Sequence, residues 1–402
     1  MSTSTSTTTS TDTGTKTITL TEDELDPYVT HAATRSWLAS PGLPGPGLPG
    51  DGGLLTFEAL RAGGPRTVAD SMGDPDLLAA DLRDQLVIGA LRGPADAETE
   101  SILLDGATGE VSTTYVLQDR PDLMDRRPLA PSLQVLTDFV AATEEMAARR
   151  GRFASYEGRF GPKAVAGMSR QLLAVFEEGT GGEVPPFWRM AALIRPLALV
   201  AGPPADAALT LDLPTRLLDE EFGQGRVARF EDVDFPAALA HEPTRRFLRE
   251  TGLPEDGFLF QLDTDVPLPT LAEYYEDERP GEYTADELPD DADHLIRLGH
   301  LIEDNSLVVD GATGAILNWS EPEATLYALN TDISTLAFTL WLLHREKTID
   351  ETLSHELTAD AYDQLATTMT QTLSTVDPTG SAPQSTWHYW TELFQDEAGG
   401  VL

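Results

Sequence analysis

The 402-residue chain carries 67 acidic against 27 basic residues, a formal net charge of −40, and has no cysteine. Its length suits two or three ordinary domains whose cores need no cross-links. The missing thiols exclude disulfides, thiolate metal sites and a cysteine nucleophile, and fit a reducing cytoplasm. A negative field of this size opposes nucleic acid and anionic membrane and attracts a basic protein surface.

In chain order, residues 1–16 (MSTSTSTTTSTDTGTK) have neither the basic start nor the apolar stretch of a secretory signal, and read as a disordered tail. THAATRSWLASPGLPG at 30–45 predicts a short helix stopped by Gly and then Pro. GPGLPG at 45–50 copies the spelling of a dinucleotide fingerprint, but prolines fill its variable places and nothing strand-like precedes it, so it reads as a flexible insert. RTVADSM (66–72) and the strand LVIGAL (86–91) lead to LLDGATGEV at 103–111, where Asp-Gly and Thr-Gly between apolar runs specify a hairpin. That turn lacks the Lys and Ser/Thr of a phosphate loop and enters a strand instead of a helix. Ser132 is placed as the N-cap of a helix whose Leu133, Leu136, Phe139, Val140 and Met146 recur at helical spacing. PPFWRMAALI (185–194) closes the series, and AGPPADAA (201–208) has the composition of a linker.

The series is then written again. AHEPTRRFLRETGLPE at 240–255 pairs His241, Thr244, Arg245 and Leu248 with His31, Thr34, Arg35 and Leu38. PTLAEYY (269–275), IRLGHL (296–301), VVDGATGAI (308–316), DISTLAFTLWLLHREK from Asp332, and STWHYWTELF (385–394) follow in the same order. The offset between copies shrinks from 210 residues at His31/His241 to 200 at Phe187/Trp387, as loop-length changes would produce. Such self-similarity predicts two tandem α+β domains, 17–200 and 209–402, each a largely antiparallel sheet packed with helices. The helix from Ile333 is apolar nearly all round through Leu336, Phe338, Leu340, Trp341 and Leu343 and belongs in the core. Its apolar run falls short of the roughly 18 residues a membrane helix needs. Trp387, Tyr389 and Trp390 are expected in the core as well.

In its PTRRFLRETGLP stretch from Pro243, Gly299, SLVVDGATGAI and the apolar helix with its aromatic closing segment, the second copy resembles the SUKH superfamily of bacterial immunity proteins, particularly the family-four branch. The first copy keeps the order but departs in its proline-rich insert at 41–50 and in Met72, which stands where the second has Tyr275. The resemblance implies a tandem SUKH-like protein that binds and neutralises a cognate polymorphic toxin, of nuclease or deaminase type, inside the producing cell. A non-enzymatic adaptor of the same fold is the alternative, and an enzyme using His241 with a carboxylate the third reading.

Catalytic chemistry finds little footing in the residues. HEPTR and HELTA fail to complete a zinc HExxH because Arg245 and Ala359 hold the fifth position. His294 and His300 with Asp291 and Asp293 fit no standard metal spacing. Thr244 and Arg245, like Thr34 and Arg35, read as a capping hydroxyl and a surface ion pair. No nucleophile, base and orienting group occur together, so no catalytic residue, metal or cofactor is expected.

One stretch exceeds what a fold requires: LAEYYEDERPGEYTADELPDDADH at 271–294 is dense in acids and threaded with tyrosines. Acids steer and set register, while tyrosines supply contact area at small entropic cost. Tyr274, Tyr275, Glu276, Asp277, Glu278, Glu282, Tyr283, Asp286 and Glu287 are therefore expected to contact a protein partner with a basic surface.

Overall fold

Each copy builds its sheet as a meander, every strand pairing with its chain neighbour. The computed structural model describes residues 17–398 apart from 46–53, 59, 61–63, 93–97, 149–161, 181–183, 200–207, 258, 265–266, 282, 284–286, 303–304, 354–358 and 382–387. The tail, residues 46–50 of the proline-rich insert, Trp387 and all of the expected linker but Ala208 lie outside these residues. The first sheet runs β1 (Leu55–Thr56), β2 (Leu86–Arg92), β3 (Glu98–Leu104), β4 (Val111–Thr114) and β5 (Arg127–Ala130), all antiparallel. A two-stranded ribbon of β6 (Val227–Ala228) and β7 (Leu253–Pro254) precedes the second sheet. That sheet runs β8 (Asp256–Gly257), β9 (Phe260–Leu262), β10 (Leu295–Leu301), β11 (Asn305–Asp310), β12 (Ile316–Ser320) and β13 (Thr325–Asn330), again antiparallel throughout.

The duplication extends to details that only backbone geometry explains. Register slips by one residue between Val87 and Gly89 and again between Arg297 and Gly299. A Cβ on Gly89 would lie 2.1 Å from the Thr56 carbonyl oxygen, and one on Gly299 would lie 2.1 Å from that of Gln261. Only glycine lets the bulged strand approach its neighbour so closely. In both hairpins an aspartate holds the turn: Asp105 Oδ1 accepts from Ala107 and Thr108 N–H, and Asp310 Oδ1 from Ala312 and Thr313 N–H, at 2.8 and 2.9 Å in each case.

The hairpins are written twice because each is a docking point for a helix. The carbonyl of Gly106 accepts from the N–H groups of Thr30 and His31, and that of Gly311 from those of Ala240 and His241. These bonds fix the chain just before the helices Ala32–Ala39 and Glu242–Glu250, whose N-caps are His31 and His241. Gly109 and Gly314, at φ +83° and +80°, lie beneath the same histidines, and a Cβ on Gly314 would lie 2.2 Å from His241 Nδ1. The ring nitrogen Nδ1 lies 2.8 Å from Thr34 Oγ1 in the first copy and 2.8 Å from Thr244 Oγ1 in the second. The recurring histidine and threonine thus sit over the turn, while Arg35 pairs with Asp26 and Arg245 with Asp232 and tie each helix to the chain before it.

By compactness the chain divides into one unit over Met1–Arg92 and Glu98–Thr137 and a second that includes Asp138–Leu402. The first unit holds the five-stranded sheet. The second holds the six-stranded sheet and the helices that follow both sheets in sequence. Helix Pro186–Ile194 packs on helix Ala359–Val376. Its Phe187, Trp188, Met190, Ala191, Ala192 and Ile194 are all fully buried, and a helix apolar on so many sides needs cover from more than one neighbour. Phe139 lies 4.1 Å from Trp188 and 5.3 Å from Phe176, ring centre to ring centre. Ile333, Leu336, Phe338, Leu340, Trp341 and Leu343 of the long apolar helix are buried, as are Tyr389 and Trp390. No helix among the described residues is long and apolar enough to cross a membrane.

Candidate functional site

The acidic stretch begins as a helix because its first residues satisfy their own backbone. Thr270 Oγ1 accepts from Glu273 N–H at 3.2 Å, and Glu273 Oε2 accepts from Thr270 N–H at 2.8 Å, a complete capping box. Helix Leu271–Asp277 then buries Leu271 and Tyr275, four residues apart on one face, against Leu295, Val308 and Trp319 of the sheet. Trp319 Nε1 donates to the Tyr275 hydroxyl at 3.0 Å. Burial, reinforced by the neighbouring Glu321 carboxylate, raises the Tyr275 phenol well above its ordinary range, so it stays protonated.

The chain beyond the helix is tied down as well. The Tyr283 hydroxyl donates to the Glu321 carbonyl at 2.6 Å, and Arg279 Nη1 donates to the buried Glu321 carboxylate at 3.1 Å. The Tyr275 and Tyr283 rings meet edge to face at 4.9 Å.

Side chains in this segment therefore divide by direction. Glu276, Asp277, Glu278 and Glu287 are exposed, and Tyr274 and Tyr283 are half-buried. Tyr275 is only 3% exposed, which corrects its expected role: it is a core residue that anchors the helix and offers no contact area. The physical reason is the helical period, which places 271 and 275 over the sheet and turns 276 and 277 away from it, while Glu278 is the C-cap where the helix ends. Glu282 and Asp286 lie outside the described residues. Glu276, Asp277 and Glu278 have no cationic partner among the described residues and crowd the C-terminal end of the helix, where its dipole favours cations. Stability does not account for such a placement.

Beside the helix lies a cleft of about 620 Å³ that the sequence did not announce. Pro236, Pro267, Leu268 and Pro269 form apolar walls, and Tyr274, Asp277 and Glu278 one rim. Its floor is Arg297 of β10, only 3% exposed, whose guanidinium ion-pairs with Asp263, donates to Ser306 Oγ at 3.2 Å and lies 3.9 Å from the centre of the Tyr274 ring. His300 Nδ1 is 3.4 Å from Arg297 Nη2. The one signal available beforehand was an arginine within the largely apolar strand IRLGHL, of which only His300 is exposed. Among the described residues no group of three acidic or histidine side chains is placed to hold a metal ion.

The fold is that of a tandem α+β protein with two antiparallel sheets, the second carrying the acidic segment and the cleft beside it. Residues 10–175 and 213–396 each match the family described as SUKH-4 immunity protein, and the chain belongs to that family. Two matched regions coincide with the two sheet-bearing halves, and membership makes toxin immunity its class of function. No curated protein and no solved structure matches the chain.

Proposed function

We propose that this protein neutralises a cognate protein toxin by binding it stoichiometrically in the cytoplasm of the producing cell, through the acidic face of its second copy. The observation that carries the reading, within a family of immunity proteins, is the sorting of one segment: tyrosines and Arg279 fasten it to the sheet while Glu276, Asp277, Glu278 and Glu287 face outward. A nuclease or deaminase must hold a polyanion, so its working face is basic, and a rigidly mounted row of carboxylates competes for that face. No step of covalent chemistry is needed.

The test is a titration. With the toxin domain encoded beside this protein, activity should fall linearly and end at one equivalent. The triple variant Glu276→Gln, Asp277→Asn, Glu278→Gln should associate about tenfold more slowly at low ionic strength, with the difference shrinking as salt rises. An association rate indifferent to both salt and the triple substitution would overturn the acidic-face reading.

A further inference from the structure

The cleft beside the acidic helix has a chemistry of its own. Its volume of about 620 Å³ lies within the range of small-ligand sites, which span roughly 300–1,000 Å³. Its apolar part includes Pro236, Pro267 and Pro269, whose fixed φ leaves little entropy to lose on binding. Among the described residues four carboxylates line it, those of Asp263, Glu273, Asp277 and Glu278, against Arg297 as the one permanently charged cation. Two are already engaged: Asp263 by Arg297, and Glu273 by the Thr270 cap. Asp277 and Glu278 remain at the mouth with no partner among the described residues. A cleft that combines proline and leucine surface with two uncompensated carboxylates matches a methylene stem that ends in a positive charge.

The first copy supplies the contrast. Matching the bulge glycines and capping threonines of the two sheets aligns Arg297 with Val87, His300 with Ala90 and Tyr274 with Ser71. A buried strand arginine is costly unless its charge is met, and here it is met by the groups that shape the cleft, Asp263 and the Tyr274 face. Its effect is to hold the rim tyrosine and the floor carboxylate in place.

We propose that the cleft is a socket for one arginine or lysine side chain projecting from the partner protein. This deepens the binding reading above and rests on it for the partner's identity. The socket gives the complex a point of register that a field of exposed acids cannot, since such a field steers without specifying position. The residue seated here is an anchor of the interface.

The test uses the full chain and three small probes: Nα-acetyl-arginine methylamide, the lysine analogue, and the uncharged citrulline analogue. Saturation-transfer NMR at millimolar probe should show transfer to the side-chain methylenes of the arginine and lysine probes and little to citrulline. Transfer should vanish in Ala237→Trp, which fills the mouth from an exposed wall position, and in Asp277→Asn/Glu278→Gln, which removes charge without adding bulk. Equal transfer to citrulline and arginine, or signals indifferent to both variants, overturns the socket. With the toxin in hand, Ala237→Trp should weaken the complex by about tenfold or more through faster dissociation. If toxin binding stays salt-dependent while the probes fail and Ala237→Trp is silent, the socket is wrong and the acidic face stands. If the probes bind as expected but no toxin is inhibited, the socket stands and the immunity reading falls.

Discussion

The two sheets obey one backbone plan and present different surfaces. Both copies keep the bulge glycine, the aspartate-held turn, the histidine seated on the turn glycine, and a threonine with its acidic partner at the start of the outer segment: Thr67 with Asp70, Thr270 with Glu273. Beneath that segment the first copy packs Val68, Met72 and Leu103, where the second packs Leu271, Tyr275 and Val308. Outward, the copies part. Both expose carboxylates, Asp70, Asp74 and Asp76 in the first and Glu276, Asp277 and Glu278 in the second, but the first also leaves Leu77 and Leu123 more than half exposed, with Tyr115, Val116 and Leu117 nearby in sequence. Duplication preserved what the backbone cannot do without and left the solvent-facing side chains free to diverge.

The largest effect should come from the shared plan. Gly89→Ala and Gly299→Ala each drive a methyl into a neighbouring strand's carbonyl, and each should cost about 2–4 kcal/mol in urea unfolding followed separately for the two units. Tolerance of one substitution and not the other would break the equivalence of the copies.

A smaller effect separates their cores. Tyr275→Phe leaves the buried Trp319 Nε1 donor without its acceptor and should cost about 1–3 kcal/mol, while Met72→Leu at the equivalent place should cost less than about 1.5 kcal/mol. Equal costs would mean that the tyrosine is no special anchor.

The smallest concerns acid. Burial pushes the Asp105 carboxyl up, but the N–H groups of Thr108 and Ala107 and the Gln85 amide outweigh it and hold the group below its ordinary 3.8. A carboxylate lowered on folding stabilises the protein fully above the unfolded value, and that contribution disappears as pH falls through the lowered one. Asp105→Asn should therefore flatten the acid limb of the first copy's stability curve below about pH 4. An unchanged acid limb would show that the turn aspartate is held no more tightly than in the unfolded chain.

Much of this was legible in the letters because it is local. DGATG specifies a turn through the positive φ of its second glycine and the aspartate that bonds its own backbone, and repetition of the flanks made the tandem plan readable. Acidity of the 271–294 segment was legible too. Burial of Tyr275 was not: Tyr274 and Tyr275 are identical letters side by side, and only the helix's contact with Trp319 distinguishes them.

Composition, periodicity and turn chemistry thus determined on their own that this is a duplicated, acidic α+β chain with a charged loop in its later half, since each of those depends on residues close in sequence. The tertiary structure alone decided that the segment's tyrosines pack inward while Glu276, Asp277 and Glu278 are exposed, and that Asp263, Tyr274 and Arg297 meet in one cleft. Those side chains come from separate segments, and the strand pairing and helix docking that bring them within bonding distance are cooperative properties of the whole sheet.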